Sequence, residues 1–155
     1  MMDDRDRRSP RAGYQGSGSM DDKALAELLR RPCTIAVVGL SPNSNRPSHE
    51  VAAGLQAAGH RIVPVRPGIA SVLGEPAWAS LEQAAHAGPI DIIDVFRRSE
   101  FVPALVPGCI TIRPQLVFLQ VGVMHREAES ALAAAGIPVI ANRCLLVDYH
   151  RLLGN

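Results

Sequence analysis

The chain has 155 residues, 47% of them hydrophobic and 20% charged, which is apolar content enough for one core and points to one domain. Its 16 basic and 15 acidic residues leave a net charge of +1, so no nucleic-acid footprint and no membrane-surface patch is expected. All but one of the basic residues are arginine, and the lone Lys23 lies near the start, so P-loop nucleotide hydrolysis with its loop lysine is excluded.

Residues 1–20 mix Asp and Arg with Gly and Ser and read as a disordered or tag-like leader, leaving 21–155 as the folded unit. There is no apolar signal segment and no run of membrane-spanning length. Cys33, Cys109 and Cys144 are odd in number and widely spaced, which argues against a disulfide framework or a zinc site and fits a reducing cytoplasm.

Asp21 and Asp22 are cap and first-turn residues for a helix through Ala24, Leu25, Leu28 and Leu29, stopped by Pro32. The apolar run ending at Gly39 is a first strand. A loop of Ser, Asn, Arg and Pro then leads into a helix that begins near Ser48 and ends before Gly59. Arg61 to Val65 is a second strand, Gly68 to Pro76 a loop, and Ser80 to His86 a short helix. Asp91 to Phe96 is a third strand, after which Ser99 can cap a helix constrained by Pro103 and Pro107. Leu116 to Gln120, an alanine-rich helix from Arg126 to Ala135, Pro138 to Ala141 and a last helix from Leu145 to Leu153 complete the chain. Short apolar strands alternating with helices predict a Rossmann-like α/β fold: a five-stranded, mostly parallel sheet with helices on both faces.

In such sheets ligands bind beyond the carboxyl ends of the strands, where strand order reverses. After the first strand, Gly39 allows close backbone approach to a ligand. The hydroxyls of Ser41, Ser44 and Ser48 and the Asn45 amide can donate to phosphate oxygens, and Arg46 offers a two-pronged fork. The same Asn-Arg-Pro-Ser run also serves as a turn and helix cap, and the two roles are compatible. A nicotinamide or flavin site would show G-x-G-x-x-G and an acid after the second strand. Here Val65 is followed by Arg66, Pro67 and Gly68, which calls for a phosphorylated ribose or another nucleotide.

Of Arg97 and Arg98, one is expected to face the crevice and the other to be solvated or paired with Asp94. Cys144, beside Arg143 beyond the fifth strand, is either an inert buried thiol or a reactive one. The five histidines are scattered, with no nucleophile or acid at triad spacing, so the site is expected to hold an anion and not to perform acid–base chemistry.

Taken together, GLSPNSNRPSHEVA, VPVRPG, LGEPAWASL, DIIDVFRRSE, LVFLQVGV and NRCLLVDYHRL resemble the stand-alone bacterial and archaeal CoA-binding proteins. Their domain is similar to the CoA-binding domain of the succinyl-CoA synthetase α subunit, and the resemblance covers about residues 22–153. It implies coenzyme A as ligand, with the diphosphate on the loop from Gly39 and Leu40 through Ser41, Asn45, Arg46 and Pro47 to Ser48. Val65, Arg66 and Pro67 would lie near the adenosine 3′-phosphate. Val95, Phe96 and Arg97 would line the adenine or pantetheine side, and Gln120 and Gly122 the pantetheine arm. The family's last motif commonly reads Asp-Arg-Cys, whereas this chain has Asn142, Arg143 and Cys144.

The resemblance implies a module that binds CoA or an acyl-CoA without evident catalytic machinery, since the phosphohistidine segment and ATP-grasp partner of the ligase have no room in 155 residues. A CoA-using enzyme as partner and a homodimer are both compatible with it. Two alternatives stand beside it: an NADP-binding oxidoreductase-like domain with Arg66 on the 2′-phosphate, and a redox protein forming a mixed disulfide with CoA through Cys144.

Overall fold

The computed structural model describes residues 20–154, so the expected leader falls almost wholly outside the described residues. Helix α1 (Asp22–Leu29) starts where Asp21 accepts a hydrogen bond from the Ala24 N–H, as a side-chain cap should. Strand β1 (Thr34–Val38), helix α2 (Pro47–Ala57) and strand β2 (Arg61–Val65) follow.

The segment expected as a loop after β2 contains a small antiparallel hairpin, β3 (Ser71–Val72) and β4 (Glu75–Pro76). Its turn residues Leu73 and Gly74 both have positive φ, as a two-residue hairpin turn requires. Helix α3 (Leu81–Ala84), capped by Ser80, runs into a 3-10 turn, and β5 (Ile92–Val95) follows.

The single helix expected after β5 is instead two 3-10 turns and then α4 (Val106–Ile112). Pro103 and Pro107 each sit in the first turn of a separate piece, where the missing N–H costs nothing. Ser99 caps no helix. Its hydroxyl accepts from the Met124 N–H at 3.0 Å and donates to the Gly122 carbonyl at 3.3 Å, tying this segment to the loop after the next strand. Strand β6 (Leu116–Leu119), helix α5 (Arg126–Ala134), strand β7 (Val139–Ile140) and helix α6 (Leu145–Leu153) end the described chain.

The five main strands form one sheet in the order β2-β1-β5-β6-β7, every pairing parallel. Alternate residues feed two cores, as a sheet buried on both faces requires. Ile35, Val37, Ile92 and Phe118 pack under α1, α2 and α6; Ala36, Val38, Ile93 and Leu119 pack under α3, α4 and α5. Pro64 is tolerated because β2 is the sheet edge. Among the described residues no helix is long and apolar enough to cross a membrane.

Candidate functional site

The sheet order reverses between β1 and β5, because the chain leaves β1 for β2 on one side and returns to β5 on the other. The two carboxyl ends meet closely there. A β-carbon on Gly39 would lie 2.3 Å from the Phe96 carbonyl oxygen and 3.3 Å from Arg97 Cδ, and φ at Gly39 is +86°. Only glycine lets the loop after β1 cross the end of β5 at this distance.

The loop is wired by its own side chains. Ser48, the second residue of α2, accepts the Ser41 N–H at 2.9 Å, and Ser41 accepts the Asn43 N–H at 3.0 Å. Each hydroxyl keeps its proton to donate. The N-cap of α2 is Arg46, with extended backbone and no side-chain cap bond, so its guanidinium is not used to close the helix.

A cleft of about 1190 Å³ opens over this crevice. Of the residues expected from sequence, Gly39, Ser41, Arg46, Pro47, Ser48, Val65, Arg66, Pro67, Phe96, Arg97, Gln120 and Gly122 line it. Leu40 and Val95 do not: both side chains are buried in the two cores. Asn45 and Ser44 are exposed outside the lining, and the Asn45 N–H is held by the Asn43 side chain.

Five lining residues were not among the expected ligand contacts, Asn43, Val51, Arg98, Val121 and Val123, and Cys144, expected at the ligand only in the mixed-disulfide alternative, lines the cleft as well. Both arginines after β5 reach the cleft, and neither pairs with Asp94 among the described residues. They flank Phe101 at 4.8 and 5.5 Å from its ring centre, and Arg98 makes a solvent-exposed ion pair with Glu100 at 3.8 Å. Adjacent residues in an extended strand would point apart; here the chain has already left β5, so alternation no longer applies.

The electrostatics follow from the lining. Arg46, Arg66, Arg97 and Arg98 border the cleft, and no Asp or Glu does. Beneath the cleft lies Asp94, fully buried on β5 between Val37 and Phe118 and outside the lining. Burial pushes its carboxyl up to about 7, although the Gln120 side chain donates to it at 2.9 Å.

At the far end, Asn142 has φ +62°, and its side-chain carbonyl accepts the Gly122 N–H at 2.7 Å. The Asn142 amide therefore holds the loop after β6. Arg143 takes its orientation from Asp148 at 2.7 Å and Asp22 at 3.5 Å. Cys144 is the N-cap of α6, at the cleft wall.

A doubly covered parallel sheet with an arginine-rich, acid-free cleft at its switch point is a Rossmann-like α/β fold whose cleft chemistry suits anions. Residues 33–150 match the model of the family described as CoA binding domain, and the chain belongs to that family. The protein YneT of Bacillus subtilis (strain 168) is 40% identical over 125 residues, 81% of this chain and 91% of YneT. A solved structure from Thermus thermophilus is similar at 42% identity and TM-score 0.81, covering 86% of this chain and all of that one. Another, from Pyrococcus horikoshii OT3, shows 28% identity and TM-score 0.82 over 93% of this chain and all of that one.

Proposed function

We propose that the cleft binds coenzyme A or an acyl-CoA and that the protein acts as a binding module, not a catalyst. The observation that carries this reading is the cleft's charge: four arginines and no carboxylate line the switch-point crevice of a chain whose net charge is only +1. The diphosphate sits over the Gly39–Ser48 loop, where Arg46 and the free hydroxyl protons of Ser41 and Ser48 meet it. Arg66 takes the 3′-phosphate, and the arm runs toward Gln120 and Gly122. The lining offers guanidinium, hydroxyl and amide groups, which hold anions and amides. A cytoplasmic setting and a CoA-using enzyme as partner go with this reading.

Calorimetric titration with CoA, 3′-dephospho-CoA and NADPH tests it. CoA is expected to bind tightest, with 3′-dephospho-CoA about tenfold weaker, the step for one charge-assisted contact. Arg66→Ala should erase that difference, and Arg46→Ala should weaken CoA by about 1–3 kcal/mol. CoA binding no better than NADPH would overturn the proposal in favour of an NADP site.

A second reading is favoured by the place of Cys144 on the cleft wall. Its thiolate attacks CoA disulfide; a Cys144–CoA bond forms, the CoA–CoA bond breaks, and one CoA leaves as thiolate, with no further oxidant. Intact mass after incubation with CoA disulfide should rise by one CoA in the wild type and stay unchanged in Cys144→Ser. An unmodified wild type ends this reading and leaves the binding proposal intact.

A further inference from the structure

The buried acid beneath the cleft has no structural employment. Asp94 is 0% exposed, Gln120 Nε2 is its side-chain hydrogen-bond donor among the described residues, and its Oδ2 has no partner. A buried carboxyl with half its capacity unmet is costly, and an apolar residue would serve the core better at this position.

Its effect is on Gln120. That side chain is 5% exposed, lines the cleft, and has one end of its amide held on Asp94 Oδ1 at 2.9 Å. An ionised carboxylate can only accept, so it takes the amide N–H and leaves the carbonyl oxygen for the cleft. Among the described residues nothing donates to that oxygen. We infer that Asp94 is a positioning residue that fixes Gln120 with its carbonyl toward the cleft, so that the floor of the site selects a ligand carrying an N–H donor. This rests on the CoA reading and sharpens it: the donor is an amide N–H of the pantetheine arm, and specificity for the arm is built from a buried acid through one intermediary.

The direct test uses the wild-type protein at pH 8, with Asp94 largely ionised, and calorimetry of three ligands. These are CoA, 3′-phosphoadenosine 5′-diphosphate, which lacks the arm, and CoA analogues in which one arm amide nitrogen is replaced by ester oxygen. One ester analogue is expected to bind about tenfold more weakly than CoA, the cost of an unmade hydrogen bond to the buried Gln120. Asp94→Asn should reduce that discrimination to about twofold, because an asparagine can donate as well as accept and no longer dictates the amide's orientation. Its affinity for the armless nucleotide should not change, whereas a merely structural defect would weaken both ligands. Ester analogues that all bind as well as CoA to the wild type overturn the inference, as does an Asp94→Asn protein that keeps full discrimination. Failure of CoA and the armless nucleotide alike to bind would instead overturn the CoA reading. If Asp94→Asn does not fold, the wild-type ester comparison still decides.

Discussion

Gly39→Ala is expected to destabilise the protein by about 2–6 kcal/mol and to abolish ligand binding in whatever fraction stays folded. Two costs act together. At φ +86° an L-residue carries conformational strain of about 1–3 kcal/mol. The new methyl would also meet the Phe96 carbonyl oxygen at 2.3 Å and its carbon at 3.1 Å, and these are backbone atoms that cannot swing aside. Overpacking of this kind adds about 1–3 kcal/mol.

Gly68→Ala is the control. That glycine has the same φ of +86°, but a β-carbon there would meet nothing within 4 Å, so only the conformational cost of about 1–3 kcal/mol applies. Urea denaturation of the two variants separates the terms. Equal losses would mean that the close crossing of the β1 loop over the end of β5 contributes nothing. Because relief of the clash must push those two strand ends apart, calorimetry on Gly39→Ala should show CoA binding lost even where circular dichroism still reports a fold.

The second large effect is on the pH dependence of stability. Burial raises the Asp94 carboxyl from an ordinary 3.8 to about 7, so the folded state holds this proton more tightly than the unfolded state does. The contribution of Asp94 is therefore fully present below the unfolded value and is lost as pH rises through about 7. The full span corresponds to roughly 4 kcal/mol.

Asp94→Asn removes the titration while keeping the shape. The variant should match the wild type near pH 4 and be more stable by about 3–4 kcal/mol at pH 8. Two other groups act in the opposite sense. Burial depresses His60, and Arg151 with Arg143 depresses Asp22, so stability from each is lost as pH falls. Both are present in wild type and variant, and the difference between the two proteins cancels them. A difference in unfolding free energy that stays flat from pH 4 to pH 8 would refute the buried-acid account. A gain in stability alongside weaker reading of the pantetheine arm would show a site residue retained against the interest of the fold.

Much of the architecture is legible along the chain, because its signals are local. Asp21 caps α1 through the N–H three residues on, and β1, β2, β5 and β6 are mainly apolar segments bounded by Pro, Gly or polar residues, Asp94 being the buried exception. The hairpin in the Gly68–Pro76 segment leaves no such mark, because strands of two residues are too short to show alternation and Leu73 carries no sign that it will adopt positive φ. Ser99 resembles a cap along the chain because its true partners, Gly122 and Met124, lie more than twenty residues away.

The candidate site divides in the same way. Residue types alone determined that this protein carries an arginine-bearing, serine-rich loop after its first strand, no acid after its second, and a chemistry suited to anions. Tertiary structure decided which of those groups share one cleft. The order β2-β1-β5 brings Gly39 against Phe96, puts Arg98 beside Arg97 on the rim, buries Leu40 and Val95, and places Gln120 on Asp94 across neighbouring strands. Helix caps and hydrophobic periods depend on the nearest few residues and can be read in order. Contacts between strand ends depend on register and crossover, which the chain acquires only when both faces of the sheet are covered.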